Sequence, residues 1–114
     1  MVLADVNGLK WVNDHYGHLE GDRLIKICAD AMMDVMKGAY RIYRIGGDEF
    51  VAIYLDIPME QVTAEIEETR IRCKEKSKGQ PFDASMSFGY VERQPQESME
   101  EVITKADHNM YEDK

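Results

Sequence analysis

Two apolar runs rich in β-formers, Arg41-Ile42-Tyr43-Arg44-Ile45 and Val51-Ala52-Ile53-Tyr54-Leu55, stand either side of Gly46-Gly47-Asp48-Glu49-Phe50. This pattern predicts a β-hairpin, with strands over about 39–45 and 49–55. A hairpin needs a turn, but it does not need Asp48 and Glu49 side by side on it. Glycines at a turn tolerate φ > 0 and let phosphates approach the backbone. The hairpin therefore reads as a site, with the acidic pair presented outward and Gly46 and Gly47 beside it.

The rest of the chain alternates strands and helices without repeats. Residues 2–6 read as a short strand carrying Asp5, and 8–15 as a short helix. Gly17 and Gly21 punctuate a loop. A longer helix is expected from Asp22, a candidate N-cap, to about Lys37, with Gly38 ending it. Leu24, Ile27, Cys28, Ala31 and Val35 recur at helical spacing along it. Pro58 opens a third helix, with Val62, Ile66, Thr69 and Cys73 on one face, ending near Gly79. Phe82, Ala84, Met86, Phe88 and Tyr90 alternate as in a half-buried strand. Ser98 starts a last helix, with Glu101 completing a capping box and Val102, Ala106 and Met110 facing the core. The order β-α-α-β-β-α-β-α implies an α+β fold, a central, mostly antiparallel sheet flanked by helices.

Composition excludes several functions. The 114 residues fit one domain with a modest core. Lys and Arg number 14 against 22 Asp and Glu, for a net charge of −8. That argues against nucleic acid or an anionic membrane as a partner. A phosphate ligand would need a metal ion and local cations. No stretch is long enough to span a membrane, and the N-terminus lacks a signal-peptide pattern, so a cytoplasmic domain is expected. Cys28 and Cys73 read as buried, reduced thiols. Trp11 and Val12 read as core, Glu65, Glu67 and Glu68 as a solvated helix face, and Met32, Met33 and Met36 as core filling.

A second informative segment runs from Asp5 to Asp22. Asp5 ends a strand and Gly8 starts the turn into a helix, whose N-terminal amides favour phosphate. A carboxylate there can hold Mg²⁺, which takes one or two carboxylates plus phosphate oxygens and water. An EF-hand reading fails, because its fifth and sixth positions are Leu9 and Lys10. His15 and His18 lack the partners a transition-metal site requires.

Asp5-x-Asn7-x-x-Lys10-x-x-Asn13-Asp14-x-Tyr16-Gly17-His18-x-x-Gly21-Asp22, followed by Arg44-x-Gly46-Gly47-Asp48-Glu49-Phe50, resembles the GGDEF family of diguanylate cyclases. Ser85-Met86-Ser87-Phe88-Gly89 and Ala106-Asp107-x-x-Met110-Tyr111 extend the resemblance along the chain. It implies a sheet like the palm of class III nucleotidyl cyclases. It also implies condensation of two GTP into cyclic di-GMP and two pyrophosphates, across two facing domains, with two Mg²⁺ or Mn²⁺ ions. By this resemblance Asp5, the Val6 carbonyl, Asp48 and Glu49 hold the metal ions, and the Asp48/Glu49 pair takes the proton. Asn13 and Asp22 match the guanine readers, whose acceptors would stay unpaired with adenine at about 1–3 kcal/mol each. Gly8 and Leu9 match backbone contacts to phosphate, His18 a substrate contact, and Lys10 and Lys114 nearby cations. Arg44 stands at a position that is often basic.

The departures are specific. An inhibitory product site in many members is an Arg-x-x-Asp before the hairpin; the matching stretch is Lys37-Gly38-Ala39-Tyr40, so no product inhibition is expected there. The second Asp of the first motif is Asn7, which keeps a helix-capping oxygen. The family's lead-in helix before Met1 and Gly-Arg-Asn tail after Lys114 are not in the sequence. Residues 1–114 are thus expected to be a single core domain of a larger, sensor-linked protein, weakly active or inactive alone. A silent GTP-binding regulatory module and a dimerisation domain with a vestigial site are the competing readings.

Overall fold

The computed structural model describes residues 1–90, Thr104 and His108. The expected last helix and Lys114 lie outside the described residues. The elements run β1 (Val2–Val6), α1 (Leu9–Tyr16), α2 (His18–Val35), β2 (Arg41–Arg44), β3 (Glu49–Ile53), α3 (Met59–Lys76) and β4 (Met86–Tyr90). The strands form one antiparallel sheet in the order β2-β3-β1-β4. This is the expected α+β architecture, and the hairpin forms with Arg44 opposite Phe50.

The period of two along a strand sorts side chains to the two faces of the sheet. Val2, Ala4 and Val6 on β1 point to one face with Phe50, Ala52, Met86 and Phe88. There they meet Leu24, Cys28 and Met32 of α2 and Val62, Ile66 and Cys73 of α3, which makes the main core. Leu3 and Val51, paired in register, form a smaller cluster on the opposite face. Cys28 and Cys73 are buried and free, as expected. They face each other across the α2–α3 packing. Their hydrogen bond, with burial, pushes the Cys28 thiol up and so keeps it protonated.

Several expectations are corrected. α2 begins at His18, four residues before Asp22, because Gly17 alone (φ 90°, ψ 165°) makes the turn between helices. Asp22 is therefore inside the helix, not its cap, and Gly21 is a buried helical residue, not a loop break. Met36, not Gly38, ends α2. β1 has the expected bounds, whereas β2, β3, β4 and α3 are shorter at their ends than the patterns suggest; Phe82 and Ala84 precede β4 yet are still buried. Trp11 is 52% exposed and stacks on His15 at 4.1 Å between ring centroids, whereas Val12 is core. Met33 is exposed, because its position turns it away from Met32 and Met36 in the core.

Glu65 departs most from expectation. It is buried, while Glu67 and Glu68 are exposed. Its carboxylate accepts hydrogen bonds from the Gly38 amide (3.1 Å), the Tyr54 hydroxyl (2.9 Å) and Gln61 Nε2 (2.9 Å). Three donors from three segments offset the cost of burying the charge. Burial, together with the bond to Glu65, pushes the Tyr54 hydroxyl above its ordinary pKa.

Candidate functional site

The site is assembled at the end of β1. Asp5 pairs in register with Glu49 of β3 on one side and Ser87 of β4 on the other. Directly opposed residues of an antiparallel pair share a face, with Cβ atoms about 4.5–5.5 Å apart. Two carboxylates are therefore set across from each other, and Asp5 is only 5% exposed. Like charges in this arrangement destabilise a sheet. An oxygen-only pair of this kind suits a hard divalent cation. Asp48 is drawn in through its backbone, since its carbonyl accepts the Val6 amide at 2.8 Å. Backbone pairing alone thus gathers Asp5, Val6, Asp48 and Glu49. Among the described residues, no group of three or more His, Cys, Asp or Glu forms a metal cage. The acids instead fit an ion that completes its shell with substrate oxygens and water, as Mg²⁺ does.

The turn itself is held by Arg44. Its Nε donates to the Gly46 carbonyl (3.2 Å) and its Nη2 to the Gly47 carbonyl (2.7 Å), while the Ile45 amide donates to the Glu49 carbonyl (2.9 Å). The two guanidinium bonds are charge-assisted, and with the Ile45–Glu49 backbone bond they fix the turn that leads into Asp48. Neither glycine of the pair adopts positive φ. Left-handed geometry is therefore not what this turn requires. A Cβ at Gly47 would meet nothing within 4 Å, so the turn backbone is open to an incoming ligand.

The candidate phosphate-binding turn follows β1 directly. Gly8 takes the left-handed conformation (φ 73°, ψ 18°) as the residue before α1, with no side-chain cap. Asn7 is therefore not the cap its chemistry suggested. Its side chain is tied to β4 instead: Nδ2 donates to Ser85 Oγ (3.2 Å), and Oδ1 accepts from Ser87 Oγ (2.8 Å). Its amide also donates to the Ser85 carbonyl (3.0 Å). The Asn7–Gly8 bend between β1 and α1 is thereby anchored. Lys10 and His18 are exposed near the starts of α1 and α2. His15 is a packing residue, bonded to the Trp11 carbonyl at 2.9 Å.

The guanine candidates lie on the packed pair α1 and α2. Asn13 is half-buried on α1, and its carbonyl accepts the Gly17 amide at 2.9 Å. Asp22 is exposed and lines a cleft of about 290 Å³ with Ile25, Lys26, Ala29, Arg44 and Phe50. The cleft thus brings Asp22 and Arg44 together, and Asn13 is not on its wall. Sequence reasoning missed Ser85 and Ser87 as anchors of Asn7; a Ser-x-Ser in an otherwise apolar strand was the available signal. It also missed Gly21, which touches Asn13.

A family model described as "Diguanylate cyclase, GGDEF domain" matches residues 1–114. The chain belongs to the GGDEF domain family. Diguanylate cyclase VdcA of Vibrio cholerae is 32% identical over 122 residues, covering 100% of this chain and 35% of the relative. Diguanylate cyclase DgcP of Pseudomonas aeruginosa is 31% identical, covering 97% of this chain and 17% of the relative. The chain thus spans about a third or less of these relatives. The crystal structure of the GGDEF domain of DgcB from Caulobacter crescentus in complex with c-di-GMP superposes with a TM-score of 0.83. It is 28% identical and is covered over 68% of its length by 97% of this chain. The palm-like fold expected from the motifs is therefore the fold of this GGDEF domain. None of its described helices is long and apolar enough to cross a membrane.

Proposed function

We propose that this GGDEF domain is one half of a diguanylate cyclase active site. It holds one GTP, and a second GGDEF domain facing it holds the other. Each 3′-hydroxyl attacks the α-phosphorus of the opposite GTP. A P–O3′ bond forms, the bond to pyrophosphate breaks, and two turns of this step release cyclic di-GMP and two pyrophosphates. The observation that carries the reading is the in-register pairing of Asp5 with Glu49 beside the turn bearing Asp48.

Asp5, the Val6 carbonyl, Asp48 and Glu49 would hold Mg²⁺ or Mn²⁺. When bound, two such ions align the nucleophile and neutralise charge on the transferring phosphoryl group. The Asp48/Glu49 pair accepts the 3′-hydroxyl proton. The amides of Gly8 and Leu9, with Lys10, His18 and Lys114, steady the phosphates and ribose. Arg44 sets the turn and faces the cleft, and Gly46 and Gly47 leave room for the nucleotide. Asn13 and Asp22 accept the guanine N–H donors. The domain works on the cytoplasmic side within a longer protein whose sensor region brings two copies together. It contacts neither nucleic acid nor membrane.

The test is cyclic di-GMP formation by the full-length protein given GTP and Mg²⁺, with Asp48→Ala beside it. Product from the first and none from the second is expected. GTP binding without product in either would make the domain a silent regulatory module. No GTP binding at all would make the site vestigial.

A further inference from the structure

Gly21 stands in the first turns of α2, where glycine is less favourable than alanine. Its φ is not positive, so no turn or handedness requirement accounts for it. Contact accounts for it instead. A Cβ built on Gly21 would overlap Asn13 Oδ1, and would stand 2.8 Å from Asn13 Cγ and 3.3 Å from Leu9 Cδ1. The Asn13 carboxamide therefore lies directly on the backbone of Gly21, and the residue after Gly21 is Asp22.

We propose that Gly21 is a specificity-determining positioning residue whose missing side chain seats the Asn13 carboxamide for reading guanine. This inference rests on the guanine-reading role assigned above to Asn13 and Asp22. The seat places one reader on the residue adjoining the other, so a single α1–α2 contact sets both. The backbone on either side is pinned: the Gly17 amide donates to the Asn13 carbonyl at 2.9 Å, and the Gly21 amide to the Gly17 carbonyl at 3.2 Å. When a methyl group is added at Gly21, the element free to yield is therefore the tip of the Asn13 side chain. Such a change displaces a guanine acceptor and leaves the fold in place. It also separates this role from an ordinary packing role, because alanine is the better helix residue.

The experiment is calorimetric titration with 3′-deoxy-GTP and 3′-deoxy-ATP in Mg²⁺, which bind without reacting. It compares the unsubstituted protein, Gly21→Ala, Asn13→Ala and the double variant. Gly21→Ala is expected to weaken the guanine nucleotide about tenfold. The adenine nucleotide is unchanged and the thermal midpoint is held or raised. In the Asn13→Ala background, Gly21→Ala adds no further loss, since both changes act on one contact. Unchanged guanine affinity in Gly21→Ala overturns the assignment. So does a loss of the same size in both backgrounds, or a parallel loss for both nucleotides with a lowered midpoint. If the unsubstituted protein does not bind 3′-deoxy-GTP, the nucleotide reading itself falls and takes this inference with it. Failure of the seat alone leaves that binding intact.

Discussion

Asp5 and Glu65 are both buried carboxylates, in opposite surroundings. Glu65 sits among three neutral donors, the Gly38 amide, the Tyr54 hydroxyl and the Gln61 amide, drawn from the α2–β2 turn, the end of β3 and α3. It joins the pieces on one shoulder of the sheet. Asp5 stands across the strand from another acid, Glu49, at the end of the sheet. An acid surrounded by donors is held by the fold, whereas a second acid directly across a strand pair is a destabilising neighbour, one that a bound cation would relieve under the function proposed above. Burial alone does not tell the two carboxylates apart; the character of their neighbours does.

Neutralising each acid breaks or sharpens this contrast. The largest effect is expected at Asp5. Asp5→Asn lowers cyclic di-GMP formation on the order of a thousandfold. Its urea midpoint is unchanged or higher, because a like-charge pair has been removed. A lowered midpoint would place Asp5 with Glu65 as a stabilising residue. Next comes Glu65→Leu, which leaves three donors without an acceptor and costs about 3 kcal/mol of unfolding free energy, read by urea denaturation. Its GTP affinity stays close to that of the unsubstituted protein, because the bonds it loses lie away from the acids.

Metal linkage gives a third and slightly smaller effect. Mg²⁺ at a hundred times its dissociation constant stabilises the domain by about 2.7 kcal/mol, and Asp5→Asn abolishes that gain while Glu65→Leu keeps it. A differential scan of the three proteins with and without Mg²⁺ reads this directly. The smallest effect is at Tyr54. Its folded pKa is raised from 10.0 by burial and by the bond to Glu65. The folded state then holds this proton more tightly than the unfolded chain, so its contribution is complete below pH 10 and is lost as pH rises beyond it. Tyr54→Phe lowers stability by about 1 kcal/mol at neutral pH and flattens the alkaline decline in midpoint.

Much of the candidate site's geometry was legible because it is local. The Gly46–Phe50 segment names its own hairpin, and Asp5 falls at a strand end by its place after an apolar run. The two segments meet through strand pairing, which a period of two already restricts. What was misread depended on contacts between distant segments. Asn7 carries a good capping oxygen, yet Ser85 and Ser87, about eighty residues away, claim its side chain. Glu65 shares a charged run with Glu67 and Glu68, and only the return of Gly38 and Tyr54 to its side makes it interior. Gly21 next to Asp22 looked like a loop and its cap, because a mid-helix glycine is costly unless something occupies the space of its missing side chain.

The sequence by itself determined the types of the described elements, the hairpin and which acids gather at the candidate site. These follow from the period of side chains along a strand and from turn chemistry, which act over a few residues. Only the tertiary structure decided which acid is glue and which faces its like, where α2 begins, and what Asn7 and Arg44 hold. Those outcomes depend on which donors and which surfaces arrive from elsewhere in the chain. A side chain's charge is written in its own residue, but the free energy of burying that charge is set by its neighbours.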